Sequence, residues 1–476
     1  MDWLNKIVMV HKQIFFALGF LMVGLSLALP VRTYSQVKDE DALYLRKIYD
    51  AALTQGRSYE WLEYLCERIG HRLSGTPQAA AAVEYTRQML DTMGLDRVWL
   101  QPCTVPHWER GEPEQARIVN SRKMGTVDLH VVALGNSEGT GPMGITAEVV
   151  EVFSLDEVDK LGSAVAGKIV FYNRPLDPRQ INTFNAYGGA VDQRAAGATR
   201  ASKYGAAGVL VRSMTTRLDD VPHSGSMYYD AGVNKIPAFG LSTNDAELLH
   251  RLLQEEPIRV FMRNTSRMLA PKPSYNVIGE IKGSAFPDEI ILVGGHLDSW
   301  DLGTGAHDDG AGCVQAMDVL QLFKRIGYRP KRTLRCVLFM NEENGMAGSI
   351  AYEKESSQKK EYHMAAIESD RGGFTPRAFT FEADESVFDK KFKQVYGWSD
   401  LLEPYGLSLK KGGSGADIGR LKVQKGLLVG FEPDSQRYFD LHHTAQDRFE
   451  EVNKRELELG VGAMAALVYL LDKYGL

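Results

Sequence analysis

The sequence predicts an α/β protein built on a mostly parallel mixed sheet sandwiched by helices, with an inserted β-rich domain. Apolar strands alternate with amphipathic helices from Tyr275 onward, a pattern typical of a parallel sheet covered on both faces. Short β-like runs punctuated by Pro, Gly and Ser fill residues 131–264. The chain has 476 residues, 44% hydrophobic and 24% charged, which is enough for two or three globular domains.

Residues 1–35 have the layout of a secretory signal peptide. Two lysines precede an uncharged apolar run over residues 14–29, Pro30 ends the run, and small residues at positions 33 and 35 fit a cleavage site. The run is shorter than the roughly 20 residues of a membrane span, although an uncleaved anchor is the alternative. We therefore expect cleavage near residue 35, a secreted or periplasmic location and no stable membrane anchor.

Charge and cysteine content exclude some classes of protein. The 55 Lys and Arg against 61 Asp and Glu give a net charge of −6, so we expect no nucleic-acid partner. The four cysteines are scattered and form no CxxC pair, which gives a thiolate metal site little support. Cys313 and Cys336 lie in apolar surroundings and are expected to be buried. A disulfide between Cys66 and Cys103 is left open, because export permits one.

The N-terminal part of the main domain, residues 36–130, has helical patterns that lead into a strand. Residues 41–54 have helical spacing, and Ser58 precedes a second amphipathic stretch. Thr76-Pro77 begins a helix that Gly94 ends. Residues 97–105 alternate between apolar and polar positions as a strand does.

The predicted insert, residues 131–264, contains β-like runs at 144–153, 167–174, 207–214 and 236–242, with one helix over residues 194–207. His223 lies among Gly and Ser, and we expect a surface loop histidine there. The insert carries no cluster of His, Asp and Glu with metal-ligand spacing. It could shape a substrate cleft or mediate contacts between copies of the chain.

Residues 265–476 contain strands that are each followed by acids or histidines. In open α/β sheets, ligands bind at the carboxyl ends of the strands. One acid after a strand is most often a helix cap, but here several strand ends and rim loops carry such residues. In chain order these are His296, Asp298, His307, Asp308, Asp309, Glu342, Glu343, Asp370, His442 and His443.

This collection of side chains predicts a divalent-metal site. Imidazole and carboxylate ligands without cysteine suit zinc, with cobalt or manganese as substitutes. Two closely spaced ions would need a bridging carboxylate. Adjacent acids at one rim are also costly unless cations neutralise them.

Four segments together resemble the zinc aminopeptidase-like metallopeptidases with a co-catalytic metal pair. They are GGHLDSWDLGTGAHDDGAG, NEENG, ESD and YFDLHHTAQD, in that order. The resemblance implies the zinc exopeptidase fold. The β-rich insert ahead of the catalytic motifs resembles a protease-associated domain, an arrangement most similar to the plasma glutamate carboxypeptidase (carboxypeptidase Q) group.

The resemblance also implies roles for individual residues. The ligands of the two Zn²⁺ ions would be His296, Asp308, Glu343, Asp370 and His443, with Asp308 bridging both ions. Glu342 would be the general base, and Asp298 would accept the imidazole N–H of His296 and so fix its tautomer. The His-Thr pair of the family motif favours His443 over His442, and His307 would not be a ligand. Asp447 would orient the site, although Arg448 stands where the family often has a small hydroxylated residue.

The function that follows is a secreted dizinc exopeptidase acting on dipeptides or short peptides through metal-activated water. The alternatives are an inactive binding protein on the same fold and a glutaminyl cyclase-like transferase. The presence of all five ligands and Glu342 argues against an inactive protein. Carboxypeptidase or aminopeptidase polarity stays open, as does a homodimer.

Several residues are candidates for the substrate pocket, each with a structural alternative. Arg371 could meet a substrate carboxylate, but pairing with a nearby acid is the favoured interpretation. The loop over residues 412–415 with Asp417 could line the pocket or form a turn. Tyr438 and Trp300 could wall the pocket or pack in the core.

Overall fold

The computed structural model describes residues 34–476. The predicted signal peptide therefore lies outside the described residues except at its last two positions. The described chain divides between Lys47 and Ile48 into two units. In the first unit the structure describes only the start of helix α1 (Tyr34–Gln55), and the elements that follow belong to the second unit.

The helices and strands of the second unit follow the order that the sequence pattern predicts in its N-terminal and C-terminal parts. The helices are α2 (Ser58–Tyr64), α3 (Pro77–Thr92), α4 (Leu155–Leu161), α5 (Thr183–Gly188), α6 (Asp192–Ser202), α7 (Thr243–Leu253), α8 (Ala311–Arg325), α9 (Ala347–Lys359), α10 (Glu385–Tyr396), α11 (Ser399–Leu402), α12 (Tyr438–Leu441) and α13 (Lys454–Tyr474). The strands are β1 (Arg97–Glu109), β2 (Gln115–Ser121), β3 (Gly125–Leu129), β4 (Val131–Ala133), β5 (Ile145–Val152), β6 (Ile169–Tyr172), β7 (Gly208–Arg212), β8 (Ala238–Leu241), β9 (Arg259–Arg263), β10 (Arg267–Ile281), β11 (Phe286–His296), β12 (Arg332–Phe339), β13 (Tyr362–Glu368), β14 (Pro376–Glu382), β15 (Ser408–Lys411) and β16 (Leu427–Pro433).

The first sheet has eight strands in the order β1-β10-β12-β11-β13-β16-β14-β15. Its central strands β12, β11, β13 and β16 run parallel, and antiparallel pairs flank them. Every residue of β12 is buried, because a central parallel strand is covered on both faces. The predicted mixed α/β architecture is confirmed. Since the parallel strands end at one edge, the side chains that follow them meet there.

Helices cover both faces of this sheet. On one face, Tyr352 of α9 packs in a cluster with Leu292 and Phe339. Alternate strand residues point to opposite faces, so Gly295 faces the other side, where α8 begins. A Cβ on Gly295 would lie 3.1 Å from the carbonyl carbon of Gly312 and 2.3 Å from Oδ2 of Asp309. Only glycine allows the start of α8 to approach β11 so closely.

The second sheet also has eight strands, in the order β3-β2-β9-β5-β6-β7-β8-β4. Strands β5 to β8 run parallel, and helices α4 to α7 accompany them. The predicted boundary at residue 131 falls inside this sheet, because β2 and β3, which precede that residue, pair with each other and β2 also pairs with β9. The region is also more helical than expected, since short helices such as α5 have too few residues for a clear period.

His223 is not a surface residue, contrary to the sequence expectation. Its side chain is buried, and burial lowers its pKa to about 3. Its carbonyl oxygen lies 2.1 Å from the point where a Cβ of Gly240 would stand, so the loop packs directly against β8. The glycine and serine neighbours of His223 therefore permit close packing rather than exposure.

The four cysteines are free and buried, so the Cys66–Cys103 disulfide that was left open is not formed. Burial raises the pKa of both thiols to about 12. The predicted burial of Cys313 and Cys336 is confirmed.

His363 is a buried neutral histidine whose two ring nitrogens are both satisfied. Nδ1 lies 2.8 Å from the Gln424 side-chain oxygen, and Nε2 lies 2.7 Å from the Tyr352 hydroxyl. Nδ1 therefore donates its proton and Nε2 accepts one. Burial lowers the pKa of His363 to about 4. A second ring proton is thus disfavoured in the folded state.

We expect His363 to make folding acid-sensitive between about pH 6.5 and pH 4. In that window the unfolded chain binds a proton that the native chain excludes, so stability falls as the pH falls; above pH 6.5 the penalty vanishes. The linkage amounts to about 3 kcal/mol at pH 4. The free energy of unfolding of His363→Gln should lose this part of the pH dependence, whereas a change at exposed His130, His130→Gln, should not. An unchanged slope in His363→Gln would contradict the assignment.

Candidate metal centre

A cavity of about 600 Å³ lies where the carboxyl ends of the parallel strands meet. Its acidic and histidine lining comes from the first sheet and its loops, and includes Asp308, Glu342 and His443. The opposite wall comes from the second sheet region, through Phe184 and Tyr187 of α5 and residues near them. A volume of this size is typical of a small-molecule site rather than a long cleft.

His296 is the last residue of β11 and points into this cluster. Its Nδ1 lies 2.9 Å from the backbone carbonyl of Asp298, so Nδ1 must donate. Its Nε2 lies 3.2 Å from Asp370 Oδ1 and 3.3 Å from Asp308 Oδ1. Burial alone would lower the pKa of His296, but these carboxylates raise it well above its usual value. A neutral ring would therefore turn a lone pair towards two carboxylate oxygens, an arrangement that a bound cation stabilises.

Asp308 lies in the turn that leads into α8, and the peptide bond between Asp308 and Asp309 is cis. The Asp447 carboxylate holds this turn by accepting the backbone N–H groups of His307 at 2.8 Å and Asp308 at 3.1 Å. Burial would raise the pKa of the Asp308 carboxyl, but His296 and His443 hold it well below its usual value.

Glu343 and His443 form the other half of the cluster. His443 Nε2 lies 3.1 Å from Glu343 Oε2 and 3.2 Å from Asp308 Oδ2. His442 Nε2 lies 3.7 Å from Asp308 Oδ2 and more than 4.0 Å from the Glu343 carboxylate. The geometry therefore favours His443 over His442 as the partner of both acids. His443 has a positive φ of 61°, and its carbonyl accepts the N–H of Ser224 at 3.0 Å.

The chemistry of this cluster fits divalent cations. Three groups of donors have ligand atoms within 4.8 Å of one another: Asp308 with His442 and His443, His296 with Asp308 and Glu343, and His296 with Asp309 and Asp370. Glu343 Oε1 is buried without a hydrogen-bond donor among the described residues. Burial raises the pKa of Glu343 well above its usual value and that of Glu342 to about 8. A cation would relieve this enforced proximity of acids.

Asp298 contacts His296 differently from the sequence expectation. Its carboxylate lies 3.9 Å from Nδ1 of His296, too far for a hydrogen bond, and the backbone carbonyl of Asp298 makes that contact instead. The carboxylate is occupied elsewhere. Its oxygens accept the backbone N–H groups of Asn341 at 2.6 Å, Glu342 at 3.0 Å and Glu343 at 3.3 Å. Asp298 therefore holds the loop that carries both glutamates.

The loop after β12 turns sharply at Asn341, whose φ is +76°. Asparagine tolerates this left-handed conformation because its short side chain bonds locally. Its amide donates to Asn344 Oδ1 at 2.6 Å and its Oδ1 accepts the N–H of Ala347 at 3.1 Å. The turn places Glu342 at the cavity and buries Glu343.

Asp309 is a residue to which the sequence reasoning gave no role. Its Oδ2 accepts the backbone N–H of His296 at 2.9 Å, and its Oδ1 accepts that of Gly312 at 3.0 Å. It therefore ties the end of β11 to the start of α8. The adjacent Asp308 and Asp309 before a helix are evident in the sequence, but the contact of Asp309 with the backbone of His296 is not.

The remaining candidates are placed as follows. Arg371 pairs with Glu432 at 2.6 Å, which confirms the structural alternative for it. Ser414, Gly415 and Tyr438 line the cavity, whereas Asp417 is buried behind it. The Trp300 ring packs 5.7 Å from the His443 ring. His307 makes contacts away from the proposed ligands. Its backbone N–H donates to Asp447, its Nδ1 accepts the N–H of Gly373, its Nε2 donates to the carbonyl of Glu451, and its ring stacks on Phe374.

The fold and this acid–histidine centre define a metallopeptidase. A model of peptidase family M28 matches residues 276–468. Carboxypeptidase Q of Bos taurus is 35% identical to this chain over 449 residues, which cover 92% of each sequence. The crystal structure of a peptidase M28 precursor from Shewanella amazonensis SB2B, at 31% identity, has a TM-score of 0.86 and covers 92% of this chain and 98% of its own.

The chain therefore belongs to peptidase family M28. A more distant structure, the zinc aminopeptidase BSAP from Bacillus subtilis, has the same fold at 20% identity, with a TM-score of 0.62 over 87% of this chain and 94% of its own.

We expect Asp298→Asn to weaken zinc binding about 10- to 100-fold, the usual effect of removing a residue that supports metal ligands. The amide would turn an N–H₂ group towards backbone N–H groups that now donate to the carboxylate. Titration of the zinc-loaded protein with a competing chelator measures the change. Asp288→Asn, at an exposed position, is the matched control. Equal zinc affinity in both variants would contradict a supporting role for Asp298.

Proposed function

We propose that this protein is an exopeptidase that hydrolyses dipeptides or short peptides with two Zn²⁺ ions, for which Co²⁺ or Mn²⁺ could substitute. One observation carries the proposal. The Asp308 carboxylate lies between two histidines, with one oxygen 3.3 Å from His296 Nε2 and the other 3.2 Å from His443 Nε2. A buried carboxylate that faces an imidazole with each oxygen is arranged to bridge two cations.

The proposed ligands divide into two groups around Asp308. His296 and Asp370 would complete the shell of one ion, and Glu343 and His443 would complete that of the other. Bound zinc supplies polarisation of the scissile carbonyl and acidification of the attacking water. Asp447, Asp309 and Asp298 hold the backbone segments that carry the ligands.

Glu342 is the proposed general base. It lies at the cavity, next in sequence to the proposed ligand Glu343, and its backbone N–H is fixed by Asp298. From this position its carboxylate takes a proton from the attacking water and passes it to the leaving amine. Burial raises the pKa of the Glu342 carboxyl, while His296 lowers it and Asp370 raises it further. Its proton affinity therefore depends on whether the neighbouring centre holds metal ions.

Substrate size and location follow from the same features. A cavity of about 600 Å³ with walls from both sheets accommodates short peptides better than folded chains. The carboxypeptidase Q relatives support an exopeptidase, and a signal-like N-terminus supports a secreted or periplasmic enzyme. None of the described helices combines the length and the apolar character that a membrane crossing requires.

We expect Glu342→Gln to keep its zinc and to lose at least about 100-fold in kcat, the scale of a lost general base. Steady-state hydrolysis of a panel of dipeptides measures kcat, and elemental analysis measures the metal. Glu385→Gln, at an exposed helix start, is the control and should match the unaltered protein. Unchanged turnover in Glu342→Gln would defeat the assignment of the base.

We expect Asp308→Ala to lower zinc occupancy at both positions, because the bridging carboxylate serves both ions. Asp370→Ala should lower occupancy at only one of them. Elemental analysis of the dialysed proteins should show about two ions in the unaltered protein and the smallest number in Asp308→Ala. Full occupancy in Asp308→Ala would contradict the bridge.

A further inference from the structure

Arg194 is a buried cation at the cavity wall that no carboxylate neutralises. It lies in the first turn of α6 and is 7% exposed. No described carboxylate oxygen lies within 4.0 Å of its guanidinium nitrogens. The other arginine of the cavity, Arg371, differs because it is paired with Glu432 at 2.6 Å. A buried unpaired charge is unfavourable, so a ligand that brings a negative charge would be stabilised beside Arg194.

The guanidinium of Arg194 is held in place but keeps donors to spare. Nη2 donates to the Tyr187 hydroxyl at 2.7 Å, and the group lies 5.4 Å from the centre of that ring. Nε is buried without a hydrogen-bond partner among the described residues. Nη1 lies 3.4 Å from His443 Nδ1. If His443 turns its Nε2 lone pair to a cation, Nδ1 carries the ring proton and cannot accept from Arg194.

A glycine permits this arrangement. Gly225 has a φ of +119°, and a Cβ there would lie 2.4 Å from Arg194 Nη1 and 2.6 Å from His443 Nδ1. The second sheet region thus places the guanidinium of Arg194 beside the imidazole of His443, whose other side contacts Asp308 and Glu343.

The acids of the cavity wall are already engaged. Glu368 accepts the backbone N–H groups of Ala416 and Ile418, each at 2.8 Å. The others among the described lining residues are the proposed ligands and the proposed base. A substrate α-amine therefore finds no uncommitted acid in the described wall, whereas a substrate carboxylate finds Arg194.

We propose that Arg194 binds the C-terminal carboxylate of the substrate, so that the enzyme splits dipeptides or removes single residues from a free C-terminus. The inference rests on the proposed function and adds which end of the peptide the exopeptidase recognises. The C-terminal carboxylate of a dipeptide lies one residue beyond the scissile bond, a span of at most about 3.6 Å, and Arg194 Nη1 lies 3.4 Å from the proposed ligand His443. The planar guanidinium fork binds carboxylates through two parallel hydrogen bonds.

The test compares a dipeptide with its C-terminal amide, using zinc-loaded enzyme. The unaltered enzyme should prefer the free acid by about 100-fold in kcat/KM, and Arg194→Gln should lose about that factor for the acid alone. The loss should fall mainly on KM, because the carboxylate is bound equally in the ground and transition states. Arg194→Lys should recover part of the loss. Arg200→Gln, on the same helix and paired with Asp159, is the control.

A second readout needs no turnover. Calorimetry should show that a dipeptide analogue with a reduced scissile bond binds the unaltered enzyme more tightly as acid than as amide, and that Arg194→Gln removes the difference while its zinc content stays the same. Equal losses for acid and amide in Arg194→Gln, or no preference in the unaltered enzyme, would overturn the role of Arg194 and leave the proposed function standing. Failure of the zinc-loaded enzyme to hydrolyse any peptide would overturn the proposed function itself.

Discussion

The burial of several carboxylates at one end of a parallel sheet is the constraint on which the rest of this structure depends. Strands β11, β12 and β13 end at the same edge, so the buried Asp308 and Glu343 are brought close to the half-buried Asp370. Carboxylates at such distances raise one another's pKa unless positive charge is near. His296, whose pKa the neighbouring acids raise, supplies part of that charge, whereas burial lowers the pKa of His443. The remainder is what makes the cluster suited to cations.

The residues around the cluster fix backbone rather than side chains. Asp298, Asp309 and Asp447 each accept backbone N–H groups of segments that carry proposed ligands. Each of these supporting acids lies on a different segment from the one that it holds. The positions of the ligands are therefore determined by tertiary contacts as much as by the turns in which they lie.

The two sheets contribute different things to the cavity. The first sheet supplies the acids and histidines, and the second supplies aromatic rings and the cation of Arg194. Under the proposed function, chemistry and substrate selection lie on separate parts of the chain. Variation in the second sheet region could alter which peptides are accepted without disturbing the centre.

The sequence predicted the strand ends and the residues that gather there, because these follow from apolar periodicity and from the resemblance of four motifs. It could not assign individual contacts across long separations. The contact between Asp298 and His296 runs through a carbonyl rather than a carboxylate, a choice that depends on the backbone path. Arg371 drew attention by its position next to Asp370, whereas Arg194 lies in an ordinary helical stretch and reaches the cavity only through tertiary folding.

The hydrogen bonds of Asp447 have a consequence for the folding of the chain during its synthesis. Asp447 steadies the turn at Asp308 from a position 139 residues further along the chain. During synthesis on the ribosome, the turn stays unsupported until almost the whole polypeptide has emerged. Incomplete chains that end before His443 lack both this histidine and the hydrogen bonds that Asp447 makes to the turn at Asp308.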